Sequence, residues 1–302
     1  MDKRIITVNE NIDLRLDKYL QQHLDDYSRS AIQQMIEKEE IFVNNLPTKA
    51  SYLLRKEDVI TIVFQEPVKT TIEAEEIPLD IYYEDKDIIV INKPSGMVVH
   101  PAAGNYEGTL VNALLHHCTD LSGINGVIRA GIVHRIDKDT SGLLVACKND
   151  YAHRNLSKQF MNKNVTRKYV AIVHGVINHN YGKIDAPIKR STQDRKLMSV
   201  LEGGKEAITH FKVLERFKNY TFAELSLETG RTHQIRVHMK YINHPVVGDP
   251  QYGPKKSIAK HGQYLHAQTL GFIHPTTKKY MEWEAPLPDY FEAFIQKIKE
   301  ED

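Results

Sequence analysis

The chain has 302 residues, 41% of them hydrophobic and 26% charged, with a net charge of +1. That length predicts about two domains with a sizeable core, and the near-neutral balance argues neither for nor against a nucleic-acid partner. Nowhere do roughly 18 consecutive apolar residues occur, which excludes a membrane-spanning helix. The two cysteines, Cys118 and Cys147, form no CxxC pair, which excludes a disulfide framework. The start of the chain shows no long apolar run with a small-residue cleavage site, so no signal peptide is expected. A reducing, cytoplasmic setting is the expectation.

In chain order, residues 14–24 place Leu16, Tyr19, Leu20 and Leu24 on one helical stripe. Ser28 is the expected cap of a second helix, with Ala31, Ile32, Met35 and Ile36 facing inward. Ile41 and Val43 then alternate with polar neighbours, Asn44-Asn45 turns, and residues 59–64 form another strand. This unit, residues 1–66, is too small to be an enzyme. It holds 9 Lys plus Arg and 12 Asp plus Glu, a net of −3. The pattern Arg-Leu-Asp-Lys-Tyr-Leu, Ser-Arg-Ser, Val-Asn-Asn and Asp58-Val-Ile resembles the small RNA-binding domain first described in ribosomal protein S-four. The resemblance implies an α/β fold whose RNA-facing positions are Arg15, Lys18, Ser28, Arg29 and Ser30. Where that pattern carries glycine, this chain has Glu39 or Glu40, Asn45 and Glu57. Asn tolerates left-handed backbone, so the turn survives.

Residues 67–80 lack apolar periodicity and carry prolines near both ends, and they read as a linker between domains. The second domain is then 81–302. It opens with a strand pair, 81–83 and 88–91, joined by a turn at 84–87. Asn92-Lys93-Pro94-Ser95-Gly96 contains a tight turn with a structural role, and Lys93 is a candidate for phosphate contact. Residues 108–117 read as a helix capped by Thr109. His116, His117 and Cys118 suggest a metal, but neighbouring helical positions point about 100° apart and do not converge on one ion.

The most informative stretch is 131–148, Gly-Ile-Val-His-Arg-Ile-Asp-Lys-Asp-Thr-Ser-Gly-Leu-Leu-Val-Ala-Cys-Lys. Two short apolar runs, 131–133 and 143–147, read as buried strands around a polar loop. Asp-Thr-Ser-Gly is turn chemistry. Cations at Arg135 and Lys138 favour the ionised form of Asp137. A polar loop of mixed charge is often no more than a solvated turn. Residues 148–168 carry Lys148, Arg154, Lys158, Lys163, Arg167 and Lys168 against one acid, Asp150: a basic stripe suited to a phosphate backbone, or simply a solvated helix face. Residues 152–161 suit an amphipathic helix. Residues 166–175 read as a strand with Tyr169, Ala171 and Val173 facing the core. Further on, Glu228-Thr-Gly-Arg-Thr-His-Gln-Ile-Arg236 follows a strand end at Thr229-Gly230. A zinc pair of His233 and His238 is discounted, because an i, i+5 spacing points to different faces.

Read together, His134-Arg-Ile-Asp137-Lys-Asp-Thr-Ser-Gly-Leu-Leu and Glu228-x-Gly-Arg-x-His-Gln-Ile-Arg236 resemble the two signatures of the RluA-type RNA pseudouridine synthases. Asn-Lys-Pro-x-Gly-x-x-Val-His-Pro at 92–101, Lys-x-Tyr-x-Ala-x-Val-x-Gly around Tyr169, and Val-Gly-Asp-Pro-Gln-Tyr-Gly at 247–253 extend the likeness. The resemblance implies an α+β fold: a mixed, mainly antiparallel sheet flanked by helices behind the small front domain. It implies an isomerase that turns uridine in structured RNA into pseudouridine. Asp137 would be the catalytic aspartate, attacking the anomeric carbon or removing the neighbouring ribose proton. Arg236 would hold it, and Tyr169 would lie against the uracil. The base must be flipped from its stack, with Arg135 as the candidate to fill the gap. His134, Arg231, Lys158, Lys163, Arg167 and Lys168 complete the expected RNA-binding set. No redox or group transfer occurs, so no cofactor and no metal are implied. With its front domain the chain resembles the members that modify large-subunit ribosomal RNA, and the family also contains enzymes acting on transfer RNA. Two further readings remain: a non-catalytic RNA-binding assembly factor, and a glycosidase-like hydrolase with Asp137 and Asp139 as paired acids.

Overall fold

In the computed structural model, the described residues are 2–10, 12–24, 27, 29–64, 72–102, 105–124, 126–194, 196–254 and 261–301. The chain divides into two units, 1–70 and 71–302.

The first unit contains β1 (Asp2–Thr7), α1 (Leu16–His23), α2 (Arg29–Glu37), β2 (Ile41–Val43), β3 (Leu46–Pro47) and β4 (Val59–Phe64). The strands form an antiparallel sheet in the order β1-β4-β2-β3. Leu16 and Leu20 of α1 and Ile32 and Ile36 of α2 pack against Ile41, Ile60 and Ile62, so the helical stripe and the strand alternation share one core. Glu39, Asn45 and Glu57 have φ of 56°, 62° and 75°. The substitutions for glycine noted in the sequence therefore sit in left-handed backbone, which costs a non-glycine residue roughly 1 kcal/mol each.

The second unit contains β5 (Ile81–Glu84), β6 (Ile88–Lys93), α3 (Leu110–His117), β7 (Ser141–Cys147), α4 (Asp150–Met161), β8 (Thr166–His174), β9 (Tyr181–Asp185), β10 (Ile188–Arg190), β11 (Met198–Val200), β12 (Ile208–Arg216), β13 (Tyr220–Leu227), α5 (Gln234–Tyr241), β14 (Leu265–Ile273), β15 (Tyr280–Glu284) and α6 (Asp289–Glu300). Its main sheet runs β5-β6-β7-β14-β8-β13-β12-β9, with β15 added on β14. The β7–β14 pairing is parallel and the other pairings of this sheet are antiparallel. β7 is buried along its whole length because both faces are covered. Leu144 and Ala146 join the core that includes Leu110 and Leu114 of α3, while Leu143, Val145 and Cys147 join Ala152 and Leu156 of α4. Gly142, at φ +114°, lets β14 approach: a Cβ there would collide with the Ala267 backbone.

Two expectations change. Residues 131–133 do not form a strand; Ile132 makes an isolated bridge to Ala146, after a 3₁₀ turn at Val127–Arg129. The chain pairs with the end of β7 for one step and then leaves the ladder, so that 133–140 run as a loop. Residues 72–80 of the expected 67–80 linker pack on the second unit. Ile72 and Leu79 lie against its core, and the Glu75 N–H donates to the Asn112 carbonyl. Residues 65–71 lie outside the described residues.

Candidate active site

The loop ahead of β7 is held through its backbone. Lys93, fully buried, donates from Nζ to the carbonyls of Lys138 at 2.9 Å, Met97 at 2.8 Å and Pro94 at 2.7 Å. Burial pushes its pKa down to about 7, against the pull of Asp139 and Asp137. Lys93 is thus closed off from any phosphate, and the sequence expectation for it is corrected. Ser95 Oγ lies 3.0 Å from the carbonyls of Asp139 and His261, and the Gly96 N–H also donates to Lys138. The other end of the loop is tied by His134, whose Nε2 accepts the Val145 N–H at 3.0 Å while its ring stacks on Phe160. Burial lowers the His134 pKa to about 3, helped by the charge of Arg167. His134 is therefore a neutral anchor of the loop rather than a cationic RNA contact.

Asp137 is presented by this loop with its side chain 18% exposed. Its Oδ2 accepts a 2.8 Å hydrogen bond from Nη1 of Arg236, on the first turn of α5. Arg236 is itself fixed by a fork: Nε and Nη2 donate to the two oxygens of the fully buried Asp249 at 2.7 and 2.9 Å, and Nη2 also donates to Gln251 Oε1. Its guanidinium lies 4.9 Å over the Tyr252 ring. Burial opposes the charge of Arg236, but the bonds to Asp249 and the charge of Asp137 outweigh it and raise its pKa. Burial likewise opposes the charge of Asp249, and Arg236 with the Tyr252 and Gln251 N–H groups lowers its pKa. The start of α5 is pinned by the buried Gln234, which bonds Thr229, Arg231, Ile208 and Thr209. A planar fork held this way aims its third arm without losing further side-chain freedom.

His233 caps α5 in left-handed backbone, φ 57°. Tyr252 Oη accepts the Met198 N–H and lies 2.8 Å from His233 Nδ1, to which it is hydrogen-bonded. His233 Nε2 lies 3.9 Å from Asp137 Oδ1. Burial lowers the His233 pKa and keeps the ring neutral. In the sequence His233 stands within the Glu-x-Gly-Arg-x-His-Gln-Ile-Arg signature, with no role assigned to it beyond a discounted zinc pair. Asp249, Gln251 and Tyr252 had been noted only within the Val-Gly-Asp-Pro-Gln-Tyr-Gly likeness.

Asp137, Arg236, Tyr169, Arg135, His134, Lys163, Arg167, Arg231 and His233 all line one cavity of about 560 Å³. Tyr169 is 8% exposed and packs with Ala171 and Val173, as the strand phase predicts. Burial and the charge of Asp137 raise its pKa, against Arg167, so it is a phenol at neutral pH. Asp139 does not line this cavity, which leaves the paired-acid reading without its second carboxylate.

The expected basic stripe does not form one surface. Lys148 is paired with Glu84 at 2.8 Å and Asp120 at 3.7 Å. Lys168 alternates with Arg167 and Tyr169 on β8 and is not among the cavity residues. Lys158 is exposed on α4, and Lys163 is exposed and pairs with Glu206 at 3.0 Å. Arg231 donates from Nε to the Glu206 carbonyl. In the first unit, Arg15 and Arg29 both grip the buried Asp17 rather than standing free, and Lys18 is exposed. Ser28 lies outside the described residues, as does the side chain of Ser30.

Two clusters have metal-like spacing, Glu84-His117-Cys118 and Asp85-Asp87-His274. In the first, Glu84 is already bound by Lys148 and His117. In the second, His274 Nδ1 accepts two backbone N–H groups, so Nε2 carries the hydrogen it donates to Asp85 and has no lone pair for an ion. The cysteine thiols are free and buried, and burial pushes Cys118 up to about 11. Among the described residues no helix is long and apolar enough to cross a membrane.

A family model described as RNA pseudouridylate synthase matches residues 87–241, and one described as the S4 domain matches residues 14–60. The chain is 56% identical over 285 residues to an uncharacterised RNA pseudouridine synthase, YlyB, of Bacillus subtilis, covering 94% of each. It is 44% identical over 309 residues to the ribosomal large subunit pseudouridine synthase D of Zymomonas mobilis, covering 98% of this chain and 97% of the relative. Among solved structures, human RNA pseudouridylate synthase domain containing 1 aligns with a TM-score of 0.59 at 25% identity, covering 75% of this chain and 96% of that one.

Proposed function

Because the chain belongs to the RNA pseudouridine synthase family, we propose that it isomerises particular uridines of large-subunit ribosomal RNA, with Asp137 as the carboxylate that acts on the ribose. The observation that carries this is the Arg236 arm on Asp137 Oδ2, in a cavity that also holds Tyr169. The choice of RNA is supported by relatives covering 87–97% of their own length whose names read ribosomal large subunit pseudouridine synthase D.

In this reading the flipped uridine enters the cavity with its base against Tyr169 and its ribose at Asp137. Arg236 holds one oxygen, which leaves Oδ1 to meet the sugar, at C1′ as nucleophile or at C2′ as base. The C1′–N1 bond breaks, the uracil turns, and C5 bonds to C1′; C5 gives up a proton and N1 gains one. The balance is a pure isomerisation, with no electron or group to supply. Arg135 is exposed and beside Asp137, suited to occupy the place the base has left. Lys158, Lys163 and Arg231 are the exposed or cavity-lining cations for the backbone. The two free buried thiols fit a reducing cytoplasm.

The test is pseudouridine mapping, by carbodiimide labelling and primer extension, of ribosomal and transfer RNA from cells lacking the protein. Specific pseudouridines of large-subunit RNA are expected to vanish, to return with the wild type and to stay absent with Asp137→Asn. An unchanged map, together with purified protein that leaves unmodified RNA unconverted, would sink the reading in favour of a binding protein.

A further inference from the structure

Arg167 stands two residues before Tyr169 on β8, so both side chains leave the same face of the strand, about 7 Å apart. Both line the cavity that holds Asp137. The guanidinium lies over the Phe160 ring, 5.6 Å to the centroid. Its Nε is buried and has no hydrogen-bond partner among the described residues. Nη2 reaches only the Glu228 carbonyl, at 3.5 Å. Gly230 makes the room: a Cβ there would stand 2.6 Å from Nη1.

Arg236, in the same cavity, already gives four hydrogen bonds to two carboxylates and an amide. Desolvation lowers the pKa of the half-buried Arg167, and the partners of its guanidinium are the Glu228 carbonyl and the Phe160 ring rather than a carboxylate. A guanidinium partly withdrawn from water without an anion is costly. Such a group in a cavity is matched by a ligand that brings acceptors or negative charge.

We propose that Arg167 is a catalytic residue, whose guanidinium donates to a carbonyl oxygen of the flipped uracil and takes up the negative charge that grows on the base as the glycosidic bond breaks. This rests on the reading above, with the base at Tyr169 and the ribose at Asp137. When C1′–N1 breaks, the bonding pair leaves with N1 and spreads over the uracil carbonyls. The pair returns to carbon when C5 bonds to C1′. Arg167 gives no proton at any point, because a guanidinium holds its charge throughout. A preorganised donor aimed at developing charge in a water-poor cavity is among the stronger catalytic devices. The burial of Nε favours the base over a phosphate, since phosphates stay hydrated and meet exposed cations such as Arg135 and Lys163.

The experiment uses the full chain and a large-subunit RNA transcript whose converted positions have been mapped with the wild type. Single-turnover rates at saturating enzyme are compared for wild type, Arg167→Met and Arg167→Lys. A loss of about 100-fold is expected for Arg167→Met, with RNA affinity and its salt dependence unchanged. The same RNA made with 5-fluorouridine carries a base that accepts negative charge more readily. Its consumption, followed by nucleoside analysis, is expected to slow by only about 10-fold in Arg167→Met. Equal slowing on both RNAs would mean a structural role and overturns the proposal. So does an unchanged rate with weaker binding and a salt slope shallower by about one contact, the mark of a phosphate partner. If Arg167→Met does not fold, as judged by thermal melting, Gly230→Ala displaces the guanidinium with the charge kept, and the same uridine against 5-fluorouridine contrast is required of it. A wild type that converts no uridine defeats the functional reading itself; a wild type that converts and an Arg167→Met that equals it defeats only this inference.

Discussion

Both units of this protein bury an aspartate under arginine, and they use the arrangement differently. In the first unit Asp17 is fully buried and takes bonds from Arg15, Arg29 and Gln33. Burial opposes its charge, but those bonds outweigh it and hold the carboxyl at about 2. The arginines finish there, about 40% exposed, and Asp17 ties the start of α1 to α2. In the second unit Asp249 is equally buried, yet its arginine has an arm left over, and that arm reaches Asp137 in the cavity. A guanidinium has five donors in a fixed fork, so a structural acid can set the direction of the remaining donors. The first cluster joins two helices; the second converts a structural bond into the aim of a carboxylate.

Removing Asp249 should separate the two uses most sharply. Asp249→Asn is expected to lower the single-turnover rate by about 100-fold, the order seen when a group orienting a functional side chain is lost, while RNA affinity stays within a few-fold. A rate equal to wild type would mean that Arg236 holds its direction without Asp249. Asp17→Asn is expected to destabilise the first unit by about 2 kcal/mol, because two arginines lose a buried partner, and to leave conversion at saturating enzyme unchanged. The same carboxylate sets a pH dependence. Its folded pKa is below the ordinary 3.8, so its stabilisation is complete above that value and is lost as pH falls through about 2. Acid titration of unfolding should show that loss in wild type and not in Asp17→Asn. The smallest effect belongs to the backbone: Glu57→Gly, at φ 75°, is expected to raise the stability of the first unit by about 1 kcal/mol in urea melts. A destabilised variant would mean that the Glu57 side chain contributes more than its backbone strain costs.

Much of the site was legible because each of its residues sits in a short local pattern of its own. Asp137 and its loop, and Arg236 at the end of a nine-residue signature, could be named from local patterns, and Tyr169 from strand phase. The basic stripe was not legible, because charge read along the chain ignores where each side chain points. Lys148 turns to Glu84, Lys168 leaves the opposite face of β8 from Arg167, and His134 accepts a backbone N–H from β7. Arg15 and Arg29 likewise look free in sequence, although Asp17 lies only two residues from the first of them.

Sequence alone therefore determined the family and singled out Asp137 as the candidate acid, since these reside in contiguous motifs whose periodicity and turn chemistry are local. Tertiary structure decided which cations are engaged and which are open: Lys93 closed under the loop, Arg236 shared between Asp249 and Asp137, Arg167 left without an anion. The reason is physical. The state of a charge depends on what is packed within a few ångströms of it and on how far water is excluded, and for Arg236 the deciding partner, Asp137, lies 99 residues away along the chain.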